Sequence, residues 1–173
     1  QDHAGGAASV VSDLAPREIW EGVPVPRHEA LRRLRDDARA RGTIWRFVRA
    51  GQALELGGVT VLTRHPPSPE WERQKVRNDD SLVFNVRWRD VSILLTGDIG
   101  KAVERAVLPT SAPLRVLKAP HHGSLTSSSV EFVRALRPQA VVFSVGRGNH
   151  FGHPAPDVLQ RAFETEGASV VEG

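Results

Sequence analysis

The spacing of apolar residues changes character twice along the chain. From Gly6 to Leu14 small and apolar residues recur at helical spacing, and Pro16 closes that segment. Glu18 to Trp20 predicts a short strand. Val23-Pro24-Val25-Pro26 predicts a loop, because two prolines cannot pair inside a sheet. Glu29 to Arg41 predicts a helix with Ala30, Leu31, Leu34 and Ala38 on one stripe and Gly42 as its stop. The middle third then turns to strands. Ile44 to Val48, Ala53 to Leu56 and Val59 to Thr63 are short β-type runs, with Gly51 and Gly57-Gly58 as turns. Ser81 to Trp88 alternates apolar and polar, Val91 to Thr96 is more continuously apolar, and Arg89-Asp90 between them predicts a hairpin. The last third alternates strand and helix. Arg115 to Ala119, Gln139 to Val145 and Ala168 to Val171 predict strands, and Ser129 to Leu136 and Asp157 to Glu166 predict helices. Strands in the middle and βα units at the end predict a layered α/β sandwich.

A length of 173 residues suits one domain with a real core, and 40% apolar with 25% charged residues suits a folded rather than a disordered chain. No apolar run reaches the ~18 residues of a membrane span. With no cysteine, a metal here must be held by His, Asp or Glu. The net charge is only +3, and arginine far outnumbers lysine. Arginine binds phosphate in bidentate fashion, so a nucleic-acid partner is permitted without being required. The chain starts at Gln1 and contains no Met, which suggests a piece of something longer.

Four clusters carry chemistry. Asp2-His3-Ala4-Gly5-Gly6 leads into the first helix and offers a carboxylate and an imidazole to one divalent ion, or is a chance pair in an overhang. Leu94-Leu95-Thr96-Gly97-Asp98 ends a buried strand in a carboxylate that serves a ligand or caps a following helix. Ala119-Pro120-His121-His122-Gly123-Ser124 puts two consecutive histidines after a strand. Gly148-Asn149-His150-Phe151-Gly152-His153-Pro154 is a site loop or a polar surface loop. Five of the seven histidines fall in these clusters. No Ser nucleophile elbow, phosphate-cradling Gly loop or Cys nucleophile competes with them.

Asp-His-x-Gly-Gly, Thr-Gly-Asp, Pro-His-His-Gly-Ser and Gly-His-Pro, in that order, resemble the metallo-β-lactamase superfamily. The stretch from Asn78 to Pro154 is most similar to the hydrolase-like C-terminal domain of ComEC-type competence proteins. The resemblance implies a four-layer αβ/βα sandwich, with residues 1–173 as one partial domain lacking its first strands and the upstream His-x-Asp half of the ligand motif. It implies Asp2, His3, Asp98 and His122 as metal ligands, with His121 as second choice to His122. His153 and His121 become candidates for proton transfer. The middle metal-binding His of the family is missing, since the matching region reads Asn78-Asp79-Asp80-Ser81, and His65 lies too far upstream to replace it. One ion or two therefore stays open, and Mn²⁺ is as fitting as Zn²⁺.

The family's task implies a metal-dependent nuclease acting on incoming DNA. It would be carried by a bacterial cytoplasmic-membrane channel protein, with this domain on the extracytoplasmic side and soluble and monomeric in isolation. Ser124, Thr126 and the hydroxyls of Ser127 to Ser129 are candidate phosphate contacts, although N-capping explains most of the serines. The arginines of the Glu29 to Arg41 helix track phosphates or form a plain solvated face. Two rival functions are a hydrolase or phosphoesterase of a small substrate, and a non-catalytic DNA-binding or docking domain with a degenerate metal site.

Overall fold

The computed structural model describes residues 3–68, 72–108, 112–164 and 169–172, the last three by backbone alone. The described chain forms two compact units. The first comprises residues 1–48 and 69–76. Here α1 (Ala7–Leu14) buries Val11, and the parallel pair β1 (Glu18–Glu21) and β2 (Ile44–Phe47) is joined through α2 (Glu29–Ala40). The predicted stripe of α2 is only partly right. Ala38 is fully buried and Leu31 and Leu34 half-buried, but Ala30 is exposed. Arg35 turns inward instead. Its guanidinium pairs with Glu21 at 2.8 Å and lies 5.5 and 5.3 Å from the rings of Trp45 and Phe47. Trp45 Nε1 donates to the same Glu21 oxygen at 2.7 Å. At least this arginine is therefore committed to packing, and Arg33 pairs with Glu29 one helical turn away.

The second unit comprises residues 49–68 and 77–173 and holds a seven-stranded sheet in strict chain order. Strands β3 (Ala53–Leu56), β4 (Val59–His65), β5 (Val83–Trp88) and β6 (Val91–Leu95) run antiparallel. From β6 onward, β7 (Leu114–Lys118), β8 (Ala140–Phe143) and β9 (Ser169–Glu172) run parallel. The predicted strands and the Arg89-Asp90 hairpin are all present, and Arg89 adopts φ 53° in the turn. Helices α3 (Lys101–Glu104), α4 (Val130–Leu136) and α5 (Pro156–Phe163) supply the connections. Leu94, Leu117, Val141 and Phe143 of the sheet meet Phe132, Val133, Leu136, Val158 and Ala162 in one core. Burying a side chain of this size contributes about 1.5–3 kcal/mol. No helix among the described residues is long and apolar enough to cross a membrane.

Candidate active site

Adjacent parallel strands send their carboxyl ends to the same edge of a sheet, and ligands collect in the crevice outside that edge. Strands β6, β7 and β8 are such neighbours. Asp98 follows β6, His121 and His122 follow β7, and His150 and His153 follow β8, so three of the four sequence clusters share one edge.

Asp98 is not a helix cap, because Gly100 holds that place for α3. Asp98 is buried, at 8% exposure. Its loop is fixed from several sides. Gly97 takes φ +57°, and a Cβ there would lie 2.7 Å from Ser81 Cβ. Ser81 Oγ accepts the Asp98 amide at 3.1 Å. Asp79 Oδ1 accepts the Gly100 amide at 2.7 Å, while the Asp79 carbonyl accepts from His65 Nε2 at 2.7 Å. Residues 78–81, where the family's middle histidine is missing, thus brace the Asp98 loop. His65 is a brace for that turn.

The His121-His122-Gly123 turn has positive φ at three successive residues, 48°, 55° and 80°. For a non-glycine residue this conformation costs about 1–3 kcal/mol, and it persists only where surroundings enforce it. Gly123 is required by contact as well. A Cβ would meet Pro154 at 2.7 Å and the Phe143 ring at 2.8 Å. The Gly123 carbonyl also accepts the Ala155 amide at 2.9 Å, which ties the β7 loop to the β8 loop.

The turn sends the two imidazoles to different tasks. His122 Nδ1 donates to the Ser144 carbonyl at 2.6 Å, which leaves Nε2 as the lone-pair nitrogen. That nitrogen faces Asp98 Oδ1 at 3.5 Å. In that tautomer both atoms present lone pairs, the arrangement of two donors to one cation. Two donors on one tetrahedral ion, each at ~2.0–2.1 Å, sit about 3.3 Å apart, so the observed spacing fits a shared ion. A ligating histidine typically gives its other N–H to a backbone carbonyl, as His122 does. His121 is committed elsewhere. Asn78 Nδ2 donates to its Nε2 at 3.3 Å, and its Nδ1 then donates to Thr126 Oγ1 at 3.2 Å.

Lys118, at the end of β7, gives the loop a cation. Its Nζ donates to the Gly97 carbonyl at 3.1 Å and lies 3.9 Å from Asp98 Oδ1. Burial lowers its pKa, and Asp98 opposes that shift. The ring of His153 stands 6.1 Å from that of His121, edge to face. Its Nδ1 is buried without a hydrogen-bond partner among the described residues. Burial, then His121 and His122, pull its pKa below the ordinary imidazole value, with Asp98 opposing. The shift favours the neutral ring near pH 7.

A cleft of about 540 Å³ opens beside Asp98, lined among others by Arg77, Asn78, Lys101, His121 and Thr126. Thr126 is exposed there, whereas Ser124 is buried and its Oγ accepts the Thr126 amide at 3.3 Å. Ser127 Oγ donates to the Pro120 and Ser124 carbonyls, and Ser129 caps α4 by accepting the Phe132 amide. Those two serines serve the fold. Asp2 lies outside the described residues, and His3 lies in the first unit, in the turn before α1. Sequence reasoning gave no role to Lys118, Asp79 or Ser81. The signal for Lys118 was a lysine in the last position of a buried strand, directly before Ala119-Pro120-His121.

The model of the metallo-β-lactamase superfamily matches residues 1–147. The chain belongs to the metallo-β-lactamase superfamily. Its α/β architecture with a mixed sheet accords with the fold class expected from the sequence. The competence-type resemblance is also borne out. "ComE operon protein 3" of Bacillus subtilis is 32% identical over 165 residues, 92% of this chain and 20% of that protein. "Recombination protein 2" of Haemophilus influenzae is 33% identical over 161 residues, 92% of this chain and 18% of that one. "Competence protein ComA" of Neisseria gonorrhoeae is 34% identical over 87 residues, 49% of this chain and 13% of that one. The chain spans a fifth or less of the length of these relatives.

Proposed function

We propose that the chain is a metal-dependent phosphodiesterase domain that cleaves DNA as part of a larger DNA-uptake protein. The observation that carries the reading is Asp98 Oδ1 facing His122 Nε2 at 3.5 Å, with the tautomer of His122 set by Ser144. Asp98 and His122 would hold the ion, and Lys118 steadies the Gly97-Asp98 turn. Asp2 and His3 enter the proposal only through the family resemblance. When bound, Mn²⁺ or Zn²⁺ supplies Lewis acidity and water of lowered pKa. His153 takes up or passes on the proton at its ring nitrogens. Arg77 and Lys101 hold the substrate's phosphates in the cleft, and Thr126 offers a hydroxyl. Asp79 and Asp98 line the same cleft, so the two cations offer local phosphate contacts beside the carboxylates rather than a net positive wall.

The test is incubation of the chain, and of a longer form extended upstream, with single-stranded and linear duplex DNA. Mn²⁺, Mg²⁺, Zn²⁺ and EDTA are compared, beside Asp98→Ala. Cutting that needs metal and disappears in Asp98→Ala supports the proposal. A folded protein that leaves DNA uncut with every one of these metals overturns it in favour of a small-substrate hydrolase or a binding module.

A further inference from the structure

We infer that Phe151 is a stacking platform for a nucleobase of single-stranded DNA, in the loop after β8 at the strand edge that carries Asp98 and His122. The inference rests on the phosphodiesterase reading and names the form of DNA that it takes. Phe151 is 79% exposed, the most exposed large hydrophobic side chain among the described residues. A lone exposed apolar residue is ordinary, so exposure alone decides nothing. Three further observations give it meaning.

The first is its support. The Phe151 ring lies nearly parallel to His153, with centroids 5.9 Å apart and planes at 22°. The ring is therefore offset-stacked beside an imidazole of the site. The second is the rigidity of its loop. Asn149 Nδ2 donates to the His153 carbonyl at 2.6 Å and to the Gly146 carbonyl at 3.2 Å, and Asn149 Oδ1 accepts the His153 amide at 3.0 Å. These bonds pin the backbone on both sides of Phe151, so little backbone freedom is lost when a base lands on the ring. The third is charge. Residues 144–155 include Arg147, His150 and His153 and no carboxylate of their own, and Asp98 is the acidic group that acts on His153.

From Phe151 to His153 to His121 is two ring-to-ring steps, and His121 lines the cleft at Asp98. A base on Phe151 thus belongs to a nucleotide one or two away from the phosphate in that cleft. Every base has a π-face, so the platform is indifferent to sequence. It does require an unstacked base, which a duplex interior does not offer. A protein-docking patch would need a broad continuous apolar surface rather than a single ring on a polar loop.

The experiment is fluorescence anisotropy with a labelled single-stranded oligonucleotide in EDTA, so that nothing is cut. Wild type is compared with Phe151→Ala, Phe151→Leu and Phe151→Trp. A stacked base is worth ~1–3 kcal/mol, so Phe151→Ala should raise Kd about 5- to 150-fold. Leu should behave like Ala, and Trp should bind at least as well as Phe. On an abasic strand of equal length, all four proteins should bind alike. The inference is overturned if wild type does not bind the strand, if Leu restores binding, or if Phe151→Ala weakens abasic and normal strands equally. Cleavage is scored separately: a wild type that binds through Phe151 yet cuts no DNA with any metal sinks the phosphodiesterase reading alone.

Discussion

Replacing Gly123 with alanine tests whether the His121-His122 turn is held by contact with the β8 loop. Two costs are read from the structure. At φ +80° an alanine pays about 1–2 kcal/mol for the left-handed conformation. Its Cβ would also lie 2.7 Å from Pro154 and 2.8 Å from two carbons of Phe143, both with little room to retreat. Phe143 is fully buried, and overpacking of this kind costs about 1–3 kcal/mol. Gly148→Ala is the control. Gly148 has φ +64°, and nothing lies within 4 Å of its Cβ position, so it bears the conformational cost without the clash. Both variants share the stabilisation of about 0.4–1 kcal/mol that comes from stiffening the unfolded chain. The difference between them, about 1–3 kcal/mol, therefore isolates the contact. Urea unfolding of both variants beside wild type, analysed by linear extrapolation, reads it directly. Equal stabilities of the two variants would refute the packing argument, and with it the idea that Gly123 places His122.

Two further predictions concern the same unit. Burial holds both His65 and His153 below the ordinary imidazole pKa of ~6.5. As pH falls through that value the unfolded chain takes up protons first, so stability declines from pH 7 toward the lowered folded pKa values and then levels. Urea midpoints at pH 7.5, 6.5 and 5.5 should fall in that order, with a smaller fall in His65→Gln, and a flat series would contradict the assignment. Glu104 is 1% exposed, and its carboxylate accepts the Ser129 amide at 3.0 Å and also the Ser129 hydroxyl. Glu104→Ala strands those donors and leaves a cavity, at a cost of about 3 kcal/mol. That should lower Tm by about 6–12 °C in a thermal melt, with Glu104→Gln losing less.

The parallel strands explain why so much of the site was legible. A ligand-bearing residue after each of β6, β7 and β8 needs only a count of strands to be placed at one edge. The Thr-Gly-Asp, Pro-His-His-Gly and Gly-His-Pro motifs lie in the three loops at that edge, and His122 rather than His121 faces Asp98. What the sequence did not disclose depends on tertiary hydrogen bonding. Nothing local says that Asn78 and Thr126 will occupy both nitrogens of His121, or that Ser144 will fix the tautomer of His122. Ser124 read as a phosphate contact from its position, but it is buried under Thr126. Arg35 broke the expected apolar stripe of α2 because Glu21 and Trp45 meet it from neighbouring strands. A helical period cannot register an ion pair between residues 14 apart.

The most direct measurement is divalent-ion binding by the purified chain. Equilibrium dialysis against Mn²⁺ or Zn²⁺, with bound metal counted by mass spectrometry, would compare wild type with Asp98→Ala, His122→Ala and His121→Ala. The account predicts that wild type and His121→Ala retain metal, while Asp98→Ala and His122→Ala lose it. Retention in His122→Ala with loss in His121→Ala would show that the wrong imidazole had been assigned. Absence of binding in a folded wild-type protein would contradict the metal centre itself.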